Sequence, residues 1–272
     1  MNRVDRLTPD GRYLRALGGA HPVVAEVRQV RPDLLAVTLH GPEVAHRAAL
    51  ATVRTMLGAD RDLSRFMLSA RRITWLAPLA RRMRGVKPPR YPTLWEACVN
   101  AVVFQQLSVV AASAITARLV ASLSAPIRLE RERLYSFPSP AVFMAARDRP
   151  LLALGLSAGK LATLRRAADA IASGRLDASA LALLPSEEAA RALQGVKGIG
   201  PWSAALILLR GFGRLDVFPA ADTSVARNLA LVGGARGIRA TLDALGPDRG
   251  MLYYHLLLAR LGSIGDLGRA SS

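Results

Sequence analysis

Cysteine is almost missing: Cys98 is the only one in 272 residues. No disulfide can close within the chain, and no thiolate cluster can hold zinc or an iron–sulfur centre. The four histidines, His21, His40, His46 and His255, are scattered without metal-binding spacing. Lysine occurs only at 87, 160 and 197, so nearly all the positive charge is arginine. Aromatic residues make up only 5%, while alanine and leucine abound, a mixture that favours helices. Long apolar runs are lacking too; Ala204 to Leu209 falls far short of a membrane span. The opening MNRVDRLTPDGRY has no apolar stretch of the signal-peptide kind. These absences predict a cytoplasmic protein with no membrane partner and no required cofactor.

What is present is a hydrophobic content of 51%, enough for a folded core. The length allows two or three subdomains. The formal net charge is +17, from 37 basic and 20 acidic residues. Such an excess implies a polyanionic partner, nucleic acid first and an anionic membrane surface second. A base-composition bias that inflates arginine and alanine together is the competing explanation.

Residues 1–20 read as irregular. PVVAEVRQV and LLAVTLHG, separated by Arg31-Pro32-Asp33, alternate apolar and polar residues around a turn signal and predict an antiparallel hairpin over 22–40. After Pro42 the pattern predicts a helix to about Leu57, then helices over 61–69 and 72–84. Two successive prolines, Pro88 and Pro89, mark residues 85–92 as a linker. From Thr93 onward only helices are predicted. Thr93 and Glu96 have capping-box spacing ahead of Trp95, Val99, Val102 and Val103. Further helices are predicted over 108–123, 140–147, 157–174, 186–194, 201–211, 236–245 and 248–261. The expected fold is mainly α with a small N-terminal α/β domain.

The most informative string is Leu193-Gln-Gly-Val-Lys-Gly-Ile-Gly-Pro-Trp-Ser-Ala204. Gly195 fits a helix stop, and Val196 and Ile199 can anchor a turn from inside. Gly198 and Gly200 permit positive φ and a close backbone approach. Pro201 starts the next helix, whose free N–H groups suit phosphate oxygens, with Ser203 beside them and Lys197 adding charge at the tip. Such a device grips a DNA backbone without reading sequence. A tight turn between packed helices is the plainer alternative.

This string resembles the helix-hairpin-helix signature of the base-excision DNA glycosylases. Asp216-Val-Phe-Pro-Ala-Ala-Asp222-Thr-Ser-Val-Ala-Arg-Asn-Leu229 resembles the loop and catalytic aspartate that complete that motif. Asp222 stands twenty positions after Trp202, the spacing of the alkylated-base branch typified by bacterial 3-methyladenine DNA glycosylase II. Asn100-Ala-Val-Val-Phe-Gln-Gln-Leu-Ser-Val109 is similar to the turn from which that family inserts a side chain into DNA. The likeness runs from about 92 to 260.

The resemblance implies two helical subdomains flanking a DNA-binding cleft. It divides the chain into an N-terminal α/β domain, 1–84, a central helical domain, 98–214, and a second helical subdomain from 85–97 and 215–272. It implies hydrolysis of the N-glycosidic bond of an alkylated purine in duplex DNA, leaving an abasic site. Asp222 is then the carboxylate that stabilises the oxocarbenium-like sugar and positions water. It would also cap the helix that starts at Thr223, and Asp216 is a rival carboxylate at the loop entrance. Bifunctional relatives carry a Schiff-base lysine where Trp202 stands here, so a monofunctional enzyme is expected. Trp202 is placed to stack on a flipped, cationic base, with Phe104 and Tyr254 as further pocket candidates. Gln106, beside Leu107, holds the wedge position that is leucine in the archetype. The resemblance also implies a monovalent cation, Na or K, on the main-chain oxygens of Gln194, Val196 and Ile199. One lesion needs one active site, so a monomer is expected. The alternatives are a glycosylase for oxidised guanine, uracil or another mismatched base, and a non-enzymatic DNA-binding protein that keeps the hairpin.

Overall fold

In the computed structural model, which describes residues 3–220, 225, 228–230 and 237–263, helix α4 (Leu94–Val103) lies at the centre, with all ten residues buried. Thr93 starts it by accepting the Glu96 N–H on its hydroxyl at 3.1 Å. The other half of the predicted capping box does not form. The Glu96 carboxylate turns away and accepts Arg15 Nη2 at 2.6 and 2.8 Å. Around α4 pack α5 (Val109–Leu123), α8 (Ala158–Ala172) and α11 (Pro201–Ile207). Short helices α6 (Pro140–Ala145), α7 (Asp148–Ala153) and α9 (Ala178–Leu183), then α10 (Ser186–Gln194), complete this body. Its core joins Val99, Val102, Leu119, Phe143, Leu164 and Leu193 with Ile207.

The N-terminal part is a four-stranded antiparallel sheet in the order β1 (Asp5–Leu7), β2 (Tyr13–Leu17), β3 (Val23–Arg31), β4 (Leu34–His40). The β3–β4 hairpin agrees with expectation. The first two strands correct the irregular reading of residues 1–20. Their pattern is masked because Arg15 is buried inside β2 and offset by Glu96. Helix α1 (His46–Leu57) covers one sheet face through Ala49, Val53 and Met56. The other face, Leu14, Ala16 and Val24, meets Leu134 of a small hairpin, β5 (Pro126–Leu129) and β6 (Glu132–Tyr135). This hairpin corrects the all-helical reading after Thr93. Its strands are four residues each and rich in Arg and Glu, so alternation is hard to see.

Helices α2 (Ser64–Arg71) and α3 (Leu76–Arg82) were expected with the N-terminal domain. They instead bury Phe66, Leu76 and Leu79 against Leu215, Met251, Leu252 and Tyr254 of the second helical subdomain. That subdomain contains α12 (Ile238–Leu245) and α13 (Gly250–Ser263). Arg65 ties α2 to it through a bidentate pair with buried Asp248, at 2.5 and 3.1 Å. The helix predicted over 201–211 is α11 followed by one π-turn, Leu208–Phe212. Among the described residues no helix is long and apolar enough to cross a membrane.

The Arg15–Glu96 pair joins sheet to helical body. Burial alone would lower the Arg15 pKa, but the adjacent Glu96 carboxylate more than offsets this and raises it. Replacing Glu96 with Ala would strand the guanidinium with only Asp5, 3.7 Å away. Loss of one partner of a buried pair costs about 3–5 kcal/mol. Glu96→Ala is therefore expected to lower stability by about that amount in urea denaturation, and Glu96→Gln, which keeps an acceptor, by less. A loss under about 1 kcal/mol in Glu96→Ala would show that the pair does not hold the two parts together.

Candidate nucleic-acid interface

The hairpin between α10 and α11 is built from glycine and two buried anchors. Val196 and Ile199 are buried, and Ile199 N–H donates to Val196 O at 2.9 Å. Gly195, Lys197, Gly198 and Gly200 face outward. Gly195 ends α10 in right-handed conformation, not the left-handed one of a glycine stop. The left-handed residue is Gly198, at φ +103, and a Cβ there would lie 2.0 Å from Thr163 Oγ1 of α8. Gly198 is thus required twice, by dihedral and by space. Gly200 does not take the positive φ its type allows. It is extended, and nothing lies within 4 Å of where its Cβ would be. Its open side lets an external backbone come close. No side chain caps the start of α11. Its first amide groups keep their capacity for an anion.

The turn after α4 is the second element. Gln106 is left-handed at φ +56, a conformation uncommon outside glycine. It is exposed, as are Leu107 at 39%, Val109 at 44% and Val110 at 70%. A polar tip and an apolar flank stand out together from one turn. Ser108 then caps α5 by accepting the Ala111 N–H at 3.2 Å.

Gln105 and helix α8 hold these two elements in register. Gln105 Nε2 donates across to Gly198 O at 3.1 Å and to Ser203 Oγ at 2.8 Å. Ser203, expected at the DNA surface, is buried, so its hydroxyl serves this bridge. Lys160 Nζ donates to Val103 O and Gln105 O, at 2.7 and 2.8 Å, at the end of α4. Burial holds its ammonium below the usual lysine pKa. Arg166 Nε donates to Lys197 O at 2.8 Å. Lys160, Thr163 and Arg166 recur at intervals of three along α8, one helical face that touches both elements. Neither Gln105 nor Arg166 was expected here from the sequence. The repeated Gln-Gln and the three-residue spacing along α8 were the available signals.

The pocket candidates separate. Trp202 is half-buried against the main core, and its ring N–H is buried with no hydrogen-bond partner among the described residues. Phe104, half-buried, packs on the same core at the end of α4. Tyr254 is 2% exposed, and its hydroxyl donates to Pro89 O and Leu209 O at 3.2 and 3.3 Å. It is a core residue, correcting its place in the pocket. With Tyr91 it flanks Arg210, whose guanidinium carbon lies 4.8 Å from the Tyr91 ring centre and 5.7 Å from that of Tyr254. Asp216 is exposed, whereas Asp222 lies outside the described residues. The described segment that precedes it in sequence is firmly held. Arg214 Nη2 donates to Leu181 O and Ala182 O, and Gly250 N–H donates to Leu215 O at 2.6 Å. No group of three or more His, Cys, Asp or Glu that could hold a metal occurs among the described residues.

Two helices joined by a glycine crown, with a second exposed turn locked beside it, define a helix-hairpin-helix protein. A family model described as "HhH-GPD superfamily base excision DNA repair protein" matches residues 99–243, more than half of the chain, and the chain belongs to that superfamily. It is 30% identical over 208 residues to a Mycobacterium tuberculosis protein named "Probable bifunctional transcriptional activator/DNA repair enzyme AlkA", a match covering 74% of this chain and 38% of the relative. It is 33% identical over 136 residues to "DNA-3-methyladenine glycosylase 2" of Escherichia coli, covering 49% of this chain and 46% of that one. The chain therefore spans well under two thirds of these relatives. The fold is similar to that of a 3-methyladenine DNA-glycosylase from Archaeoglobus fulgidus, with TM-score 0.80, 23% identity and coverage of 95% and 90% of the two chains.

Two outcomes test the geometry. Gly198→Ala is expected to weaken duplex DNA binding at least tenfold, with partial recovery when Thr163→Ala removes the Oγ1 and Cγ2 clashes but leaves the 2.9 Å approach to its Cβ and the backbone strain. Full affinity in the single variant would remove the hairpin from DNA contact. Lys160→Met strips two carbonyls of their donor and should cost about 1–3 kcal/mol in denaturant titration. No measurable change would mean that water replaces the ammonium.

Proposed function

We propose that this chain is a monofunctional DNA glycosylase that removes alkylated purines of the 3-methyladenine and 7-methylguanine type from duplex DNA. The observation that carries the reading is the hairpin of residues 193–204, with Gly198 left-handed and Gly200 open, fixed through Gln105 beside an exposed turn. The hairpin would grip phosphates through main-chain N–H groups and Lys197. The turn of Gln106 and Leu107 would enter the space left by a flipped nucleotide. The E. coli relative's name supports the choice of alkylated bases.

Asp222 is the proposed catalytic carboxylate. Bond cleavage leaves positive charge on the deoxyribose, which a carboxylate stabilises while it orients the attacking water. An alkylated purine is already cationic, so it leaves readily and is drawn to the face of Trp202. No lysine stands at position 202 for a Schiff base, and the Lys160 amine is engaged with two carbonyls. Hydrolysis to an abasic site, without strand cutting, follows. The carbonyls of Gln194, Val196 and Ile199 suit a monovalent cation as a structural aid; Val196 O already accepts from Ile199 N–H and keeps a second lone pair. No further cofactor enters the reaction, and one monomer per lesion suffices.

Incubation with methylated duplex DNA should release free 3-methyladenine and 7-methylguanine. Asp222→Asn should abolish release by at least a hundredfold while duplex binding persists, an effect typical of removing a transition-state charge. Unchanged release in that variant would take Asp222 out of the mechanism. Release of oxidised guanine or uracil in place of alkylated purines would move the enzyme to another branch. A borohydride-trapped adduct would contradict the monofunctional assignment.

A further inference from the structure

Residues 61–87 carry eight basic residues and a single acidic one, against 37 and 20 in the whole chain. A general arginine bias does not explain this segment, because what sets it apart is the lack of acids. The basic residues lie outside the core. Arg61, Arg71, Arg72, Arg81, Arg82 and Arg84 are all exposed, and no carboxylate pairs with any of them among the described residues. Arg65, by contrast, is spent on Asp248, and Lys87 on the Arg61 carbonyl.

Arginine in the last turn of a helix stabilises the helix dipole, and Arg71 of α2 and Arg82 of α3 sit there. One cation per helix end achieves that. Arg72, Arg81 and Arg84 add like charges to the same two-helix unit, and their mutual repulsion makes it less stable in isolation. Such a cluster attracts an external anion.

The anion is narrowed by what the two helices do with their apolar side. A helix that lies on a membrane keeps an apolar face free for lipid. Here Phe66, Ala70, Leu76, Leu79 and Ala80 are buried in the protein, and Leu68 is the one large apolar side chain of 61–87 among the strongly exposed. The unit packs on Leu209, which follows the hairpin helix, and on Leu215, seven positions before Asp222 in the sequence. It is therefore part of the same subdomain as one wall of the proposed cleft.

We infer that Arg71, Arg72, Arg81, Arg82 and Arg84 form a second phosphate-binding surface that meets duplex DNA beyond the grip of the hairpin. The inference rests on the DNA-processing reading of the hairpin. It adds a sequence-independent hold on flanking duplex, which lengthens residence on undamaged DNA.

The test is the salt dependence of binding to an undamaged duplex of about thirty base pairs, for the full chain and for the variant with these five arginines replaced by glutamine. Each phosphate that the protein no longer neutralises reduces the steepness of log affinity against log salt by about 0.9, so the expected drop for five is about 4–5. A variant with five lysines instead should keep the slope, since charge and not fork geometry holds the phosphates. This also separates charge removal from misfolding. A glutamine variant with the parent slope overturns the proposal. So does loss of binding to phosphatidylglycerol vesicles with DNA binding intact, which would assign the surface to a membrane. Release of methylated bases at saturating enzyme should stay within about twofold in the variant, since chemistry is not touched. If neither protein releases any base while the slopes still differ, the glycosylase reading fails and the surface stands.

Discussion

Donors on α8 and at Gln105 bond to main-chain carbonyls of two separate turns, and this sets the distance between the parts of the molecule that face outward. The carbonyls of Val103 and Gln105 lie at the end of α4, where a helix has acceptors to spare, and a lysine ammonium gathers them. The carbonyl of Lys197 in the hairpin is held by Arg166, further along the same helix. Thr163, between them, leaves room only for a glycine at 198. Neither turn can shift without breaking a charge-assisted bond or meeting a side chain. A left-handed Gln106 is tolerable in this setting because its neighbours are pinned.

The use of cations is divided. Lys160, Arg166 and Arg214 donate to main-chain carbonyls and organise turns; Arg15 and Arg65 meet carboxylates and join elements; Arg210 lies between two tyrosine rings. Arg71, Arg72, Arg81, Arg82 and Arg84, by contrast, are exposed and pair with no carboxylate among the described residues. The overall excess of +17 is therefore not a uniform coat. It is partly structural and partly concentrated where the backbone of a polyanion can be met.

Much of this was readable in the sequence where a motif stays local. The hairpin string fixes α10, two anchors and the glycine crown within a dozen residues, and the β3–β4 hairpin declares itself by alternation around Pro32-Asp33. What was hidden depends on partners far along the chain. Strand β2 hides behind Arg15, whose partner is eighty-one residues away. Helices α2 and α3 precede a proline linker and so read as N-terminal, yet their apolar faces fit the C-terminal subdomain. Tyr254 has the look of a pocket aromatic, but its hydroxyl satisfies two backbone carbonyls inside the core. Ser203 lies on the expected helix with its hydroxyl turned inward, because helix phase is not visible from a motif.

The link between β2 and α4 has a thermodynamic consequence. Peeling the sheet away would break the Arg15–Glu96 contact and, in the same movement, pull Leu14, Ala16 and Val24 off Leu134. Partial detachment thus gathers several penalties at once and gains little chain freedom. The sheet and the helical body should melt as a single cooperative block, with heat-capacity and spectroscopic transitions that coincide.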